Sequence, residues 1–91
     1  LRADGVDTAG VAVLSGVPTG VALIVVDDHG ENQIAVGAGA NSAVGAEHVR
    51  GVLRAVLPQA GCVLVSTEIG AAAVVAAVEA ATAAGVRCVL N

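Results

Sequence analysis

Residues 18–36 read PTGVALIVVDDHGENQIAV, in which two apolar runs flank a cluster of polar residues that favour turns. The first run, Val21–Val26, has the length and β-branched composition of a strand and is bounded by Gly20 and Asp27. The second run, Gln33–Val36, alternates between polar and apolar residues. Because Asp, Gly and Asn dominate the intervening cluster, the segment predicts an antiparallel β-hairpin.

The residues before the hairpin predict one further strand. Residues 1–8 are interpreted as the end of a preceding element, with Asp4-Gly5 as its stop signal. Val11–Leu14 is a short apolar run closed by Ser15-Gly16, which predicts a strand. With the hairpin this strand would form a three-stranded meander, and residues 9–38 are assigned to it.

After the hairpin the pattern changes to alternating helices and strands. Apolar residues recur at helical spacing until Pro58, and an alanine-rich segment is closed by Gly85. The predicted elements are a helix at Ala46–Leu57, a strand at Cys62–Val65, a helix at Gly70–Ala84 and a strand at Val86–Leu90. This order predicts parallel strands with right-handed crossovers, so residues 39–91 are interpreted as part of a Rossmann-like α/β sheet.

The composition excludes several functional classes. The 91 residues carry four basic and eight acidic groups, for a net charge of −4, and no aromatic residue. Nucleic-acid binding is therefore not expected, because basic patches and aromatic stacking platforms are both missing. The chain has no Lys either, so it has no lysine for a phosphate-binding P-loop. The most membrane-like window, 69–86, is mostly alanine and contains Glu79, so no membrane span is expected.

The chain is more apolar than a small domain needs to be. Hydrophobic residues make up 56% of it, and the mean hydropathy is +0.85. A domain of this size buries only about 60–65% of its unfolded surface. We therefore expect apolar faces that are covered by other parts of the same protein or by a second subunit. The first residue is Leu1 and the last follows an apolar run, so we expect the chain to be a middle piece of a longer protein.

Cysteine and histidine give no sign of a metal or disulfide site. Cys62 and Cys88 lie inside apolar runs without a CxxC spacing, which predicts buried, reduced thiols in a cytoplasmic protein. His29 and His48 have no second His or Cys at ligand spacing. No metal site is expected.

Glu68 is the main candidate for a functional side chain. It follows the predicted strand Cys62–Val65 and precedes a helix, and ligands of open α/β sheets bind at that carboxyl end. A carboxylate there can accept hydrogen bonds from ligand hydroxyl groups. An acidic residue ahead of a helix more commonly serves only as a favourable charge at the helix N-terminus, and this alternative stays open for Glu68.

The glycine-rich run Gly37-Ala38-Gly39-Ala40-Asn41-Ser42 follows a strand and precedes a helix. It resembles a dinucleotide-binding motif only in part, because Ser42 occupies the third glycine position and the preceding strand belongs to a hairpin. We interpret the run as a connector.

Residues 18–42 resemble the PfkB-type carbohydrate kinases, the ribokinase family. The hairpin is similar to the β-lid that closes over the sugar in that family, and the similarity extends from about Gly5 to Asn91. It implies a partial, Rossmann-like (ribokinase-like) α/β fold with a small β-sheet lid. The lid residues that it identifies are Thr19, Gly20, Gly30, Glu31, Asn32 and Asn41. We expect positive φ at Gly30 and local capping by Asn32.

The resemblance also implies roles in substrate binding. Glu68 matches a glutamate that contacts the sugar, although Ser66-Thr67 stands where the family commonly has Gln-Leu. Val36 corresponds to a lid residue that packs on the sugar, whereas alternation alone makes it an ordinary strand residue. No catalytic residue is expected in this chain, because the family's Gly-Ala-Gly-Asp motif would lie beyond Asn91. The 91 residues alone are therefore expected to be inactive.

The implied activity of the parent protein is ATP-dependent phosphorylation of D-ribose to D-ribose 5-phosphate. The resemblance implies Mg²⁺ as a cofactor, allows a monovalent cation, and implies a homodimer formed through the lid. Alternatives are a different PfkB-type kinase (acting on deoxyribose, adenosine or fructose phosphate), a non-catalytic β-clasp that serves oligomerisation, and a fragment of another α/β enzyme such as an oxidoreductase.

Overall fold

The computed structural model describes all 91 residues, Leu1–Asn91, and contains two small sheets and two α-helices. The strands are β1 at Val21–Val26, β2 at Asn32–Gly37, β3 at Cys62–Val65 and β4 at Arg87–Leu90, and the helices are α1 at Ala46–Val56 and α2 at Ala71–Ala83. Short 3₁₀ turns occupy Arg2–Asp4, Gly39–Ala43 and Leu57–Gln59. Neither α-helix has the length and apolar character that crossing a membrane requires.

Strands β1 and β2 form the predicted antiparallel hairpin. Val21 pairs with Gly37 at its base and Val26 pairs with Asn32 next to the turn. Every residue of both strands is exposed, including Leu23 and Ile24 on opposite faces. The hairpin therefore buries neither of its faces within this chain.

Strands β3 and β4 pair in parallel, and α2 connects them. Helix α2 packs on α1 and on both strands. Its buried residues are all alanines, namely Ala73, Ala76, Ala77 and Ala81. Because helix separation depends on the side chains at the contact, methyl groups allow α1 and α2 to lie close together. Leu57 and Val65 complete the buried set. The predicted α/β class, with a parallel pair and a separate small antiparallel sheet, is confirmed.

The strand predicted at Val11–Leu14 is wrong. These residues form an irregular segment that begins with a turn, in which the Val11 N–H donates to the Thr8 oxygen at 3.0 Å. Gly10 lies against α1, so a β-carbon at this position would stand 2.6 Å from Cγ1 of Val52. A short apolar run does not by itself indicate strand pairing, and all four of these residues are exposed. The segment is therefore held against α1 instead of joining the hairpin as a third strand.

The other predicted elements are confirmed, with small differences at their ends. Helix α1 ends at Val56, and Leu57 already belongs to the 3₁₀ turn that contains Pro58. Gly5 and Gly85 follow helical segments with φ of +79° and +68°, the left-handed conformation that ends helices.

The prediction that both cysteines are buried is wrong. Cys62 is exposed and Cys88 is half-buried, and both are free thiols. Cys62 pairs with Arg87, whereas Cys88 pairs with Val63. Because successive residues of a strand point to opposite faces, the two thiols lie on opposite faces of the parallel pair and cannot reach each other.

Candidate functional site

Glu68 lies in the loop between β3 and α2, at the carboxyl end of the parallel pair. The main-chain ladder continues past Leu90, since the Asn91 N–H donates to the Val65 oxygen at 2.9 Å. The Thr67 N–H in turn donates to the Asn91 oxygen at 2.9 Å. Glu68 is therefore the first residue beyond the last hydrogen bond between the two strands. This is the edge at which α/β sheets bind ligands.

The carboxylate of Glu68 has no partner in this chain. The residue is exposed, and its side chain makes neither a hydrogen bond nor an ion pair. Helix α2 begins after Gly70 without any side-chain cap, so Glu68 does not cap the helix. Its oxygens are thus free to accept hydrogen bonds from a ligand.

Val36 lies on β2 directly opposite Ala22 of β1. The pairing places Ile24 opposite Ile34 on the same face, while Leu23 lies on the other face. Val36 is 64% exposed, so its side chain is available for a contact from outside the hairpin. The contact between Val36 and a bound sugar stays a prediction. The strand register places Ala22 and Ile24 on the same face as Val36.

The base of the hairpin is a close crossing of two chain segments. Gly39 has φ of +51°, and a β-carbon there would lie 2.6 Å from the Thr19 oxygen. The Ala40 N–H donates to the Pro18 oxygen at 2.8 Å. On the entering segment, a β-carbon on Gly20 would lie 2.7 Å from Nδ2 of Asn41. Three of the predicted lid residues, Thr19, Gly20 and Asn41, therefore meet at this crossing.

The turn of the hairpin is organised by Asp27. Its Oδ1 accepts the main-chain N–H of His29 at 2.8 Å and that of Glu31 at 3.0 Å. Gly30 has φ of +84°, as predicted. The predicted capping by Asn32 is wrong, because Asn32 is already the first residue of β2 and pairs with Val26. The sequence signal for Asp27 was present, since Asp commonly opens turns by accepting main-chain N–H groups two residues on.

A cleft of about 630 Å³ lies between the hairpin base, α1 and β3. Its lining is mainly apolar, and its polar members are Thr19, Asn41, His48 and Ser66. The cleft thus brings two predicted lid residues close to the end of β3. Glu68 and Val36 do not line it. Within this chain the two predicted sugar-binding residues therefore do not share one enclosed pocket.

The chain offers no metal centre of its own. No group of three or more His, Cys, Asp or Glu side chains comes together anywhere in the structure. Neither His29 nor His48 has such a partner, and the Nε2 of His48 lies 3.2 Å from the Gly10 oxygen instead.

Comparison with known proteins identifies the class. The model of the pfkB family of carbohydrate kinases matches residues 1–91, the whole of the sequence. The chain therefore belongs to the pfkB carbohydrate kinase family, which confirms the resemblance carried by the hairpin and the glycine-rich connector.

Several solved structures are similar to this chain, among them the two that follow. A protein solved under the name Sa239 is 33% identical over 99% of this chain, with a TM-score of 0.86. Ribokinase from Giardia lamblia is 34% identical over 86% of this chain, with a TM-score of 0.67. The chain spans 29% of the first of these proteins and 26% of the second.

Three features of the site were missed in the sequence. They are the capping role of Asp27, the crossing at Gly39 and the hydrogen bonds that Ser66 and Thr67 make around Glu68. The first had a recognisable signal. The crossing at Gly39 and the bond from Thr67 to Asn91 join residues far apart in the chain, which no local pattern reveals, whereas the bond from Glu68 to Ser66 is local.

Proposed function

We propose that this chain is the lid and adjoining α/β layer of a sugar kinase that transfers the γ-phosphoryl group of ATP to O5 of D-ribose. The observation that carries the proposal is the unpartnered carboxylate of Glu68 at the carboxyl end of β3, in a member of the pfkB family. The 34% identity to a ribokinase supports ribose over other sugars.

Glu68 would recognise the sugar by accepting hydrogen bonds from its hydroxyl groups. A charged acceptor bound to neutral hydroxyls contributes about 1.5–3 kcal/mol. The same carboxylate would reject an analogue that lacks the hydroxyl, because it would then be left unpaired and desolvated. Val36, with Ala22 and Ile24 on the same face, would supply an apolar surface above the sugar.

The phosphoryl-transfer machinery would lie outside residues 1–91. The chain contains no Lys and no cluster of acidic or His side chains that could hold a divalent cation. ATP, Mg²⁺, any monovalent cation and the aspartate that deprotonates the sugar hydroxyl would therefore be bound or supplied by other parts of the kinase. We also expect a cytoplasmic protein.

The hairpin would provide the homodimer contact. Strand β1 presents exposed apolar residues on both faces, with Leu23 on one face and Ile24 on the other. A sheet of two strands cannot cover such surfaces by itself, and exposed apolar strands associate. One face would close on the sugar and the other would meet the hairpin of a second subunit.

The experiment is substitution of Glu68 in the full-length kinase. Glu68→Ala and Glu68→Gln are compared with the wild type, and Glu47→Gln, an exposed carboxylate on α1, is the matched control. We expect the KM for D-ribose to rise about tenfold or more in both Glu68 variants, with little change in the KM for ATP.

A panel of D-ribose, deoxyribose, adenosine and fructose phosphate measures which substrate has the highest kcat/KM. An unchanged ribose KM in the Glu68 variants would return Glu68 to the role of a charge near the start of α2. A full-length protein without any sugar-dependent ATP turnover would favour the non-catalytic β-clasp.

A further inference from the structure

The main-chain oxygen of Asn91 accepts two hydrogen bonds from one residue. The main-chain N–H of Thr67 donates to it at 2.9 Å, and the hydroxyl Oγ1 of Thr67 donates to it at 3.0 Å. The Asn91 N–H completes the arrangement by donating to the Val65 oxygen at 2.9 Å. The ends of β3 and β4 are therefore joined at Thr67 by a side-chain bond in addition to the regular ladder.

Glu68 follows Thr67, and the main-chain N–H of Glu68 is held by the side chain of Ser66. The Glu68 N–H donates to Oγ of Ser66 at 3.4 Å, which closes a short turn. The carboxylate of Glu68, in contrast, makes no bond within the chain. The main chain around Glu68 is thus held by hydrogen bonds, while its carboxylate stays free to meet a ligand.

From this geometry we infer that Thr67 is a positioning residue for Glu68. The hydroxyl of Thr67 fixes the loop that carries Glu68 to the end of β4. The inference rests on the proposed function, since it assigns Thr67 a role in sugar binding through Glu68. Thr67 does not need to touch the sugar. A residue that fixes the approach of a binding carboxylate improves affinity by reducing the conformational freedom lost on binding.

The test uses the full-length kinase with D-ribose and ATP as substrates. Thr67→Val removes the hydroxyl and keeps the branched shape, Thr67→Ser keeps the hydroxyl, and Thr82→Val is the matched control at an exposed threonine of α2. We expect Thr67→Val to raise the KM for D-ribose about fivefold, with kcat and the KM for ATP changed less than about twofold. Thr67→Ser should restore the wild-type KM, and Thr82→Val should leave it unchanged.

A double-substitution cycle with Glu68→Gln identifies the route of the effect. If Thr67 acts through Glu68, Thr67→Val should have little further effect on the ribose KM in the Glu68→Gln background. Additive effects, or equal losses in Thr67→Val and Thr67→Ser, would overturn the inference. If Thr67→Val is not recovered folded, Thr67→Ala replaces it in the same comparison.

The outcome for Glu68→Gln alone separates the two proposals. A raised ribose KM in Glu68→Gln together with an unchanged one in Thr67→Val would refute the positioning role and leave the proposed function standing. An unchanged ribose KM in Glu68→Gln would refute the sugar-binding role of Glu68, and the positioning role would fall with it.

Discussion

Gly39 contacts the main chain of Pro18 so closely that a β-carbon on residue 39 would lie 2.5 Å from the Pro18 oxygen. The neighbouring Ala40 N–H donates to the same oxygen at 2.8 Å. The segments that enter and leave the hairpin therefore cross with main chain against main chain. This crossing determines the direction in which β1 and β2 leave the α/β layer, and only glycine fits it.

Substitution of Gly39 by Ala should damage this crossing. Alanine in the left-handed conformation costs about 1–2 kcal/mol, and the new methyl group would displace the Pro18–Thr19 segment. We expect a lower unfolding midpoint in urea and a raised ribose KM in the full-length kinase.

The matched control is Gly51→Ala. Gly51 lies in α1 and has no atom within reach of a new β-carbon, so this change should stabilise the protein by about 0.5–1 kcal/mol. A Gly39→Ala protein with the wild-type midpoint and KM would contradict the role of the crossing.

Asp27→Ala should loosen the hairpin, whereas Asp28→Ala should not. The Asp27 carboxylate accepts two main-chain N–H groups in the turn, and Asp28 accepts none. We expect a local loss of about 1 kcal/mol in the first variant, seen as faster amide hydrogen exchange in β1 and β2. Equal exchange rates in the two variants would show that the turn does not depend on Asp27.

The two faces of the hairpin should have different functions. Ile24 shares its face with Val36, so Ile24→Asp should weaken D-ribose binding. Leu23 lies on the opposite face, so Leu23→Asp should abolish the proposed dimer contact of the full-length protein. Analytical ultracentrifugation and ribose titration measure both effects. A wild-type protein that sediments as a monomer would remove the basis for the dimer contact.

The 91-residue chain on its own should transfer no phosphoryl group. It lacks a lysine and a metal-binding cluster, and its six buried residues make only a small core. We expect no ribose-dependent ADP formation, and we expect self-association through the exposed hairpin. Turnover of ATP by purified protein of this length, in a ribose-dependent way, would refute this prediction.

The sequence predicted best those elements that have a periodic pattern or a strong turn signal. The hairpin, α1, α2 and the parallel pair were all predicted, with changes of a residue or two at their ends. No strand forms at Val11–Leu14, because a run of four apolar residues is too short to distinguish a paired strand from an irregular, exposed segment. The predicted burial of Cys62 was wrong. An apolar run indicates that a segment forms a strand, but it does not indicate which face of that strand the rest of the chain covers.

The candidate site was predicted in its parts rather than in its arrangement. The position of Glu68 after β3 followed from the order of elements, because carboxyl ends of parallel strands are defined by that order. The bond from Thr67 to Asn91 could not be predicted, because it joins residues that are 24 positions apart. For the same reason the contact between Gly39 and Pro18 was not expected, although both glycines of the connector were recognised.

Strand β1 has an unusual freedom because both of its faces are apolar. In a sheet with one buried face, a slip of one residue moves the apolar side chains into water, and that penalty fixes the strand alignment. A slip of β1 would exchange one apolar surface for another, so the residues of this strand do little to prevent it. The alignment is fixed instead at the two ends, by the turn at Asp27 and by the crossing at Gly39. Strand β1 can therefore change among apolar residue types over evolution, whereas one insertion or deletion in the turn would shift every pair at once.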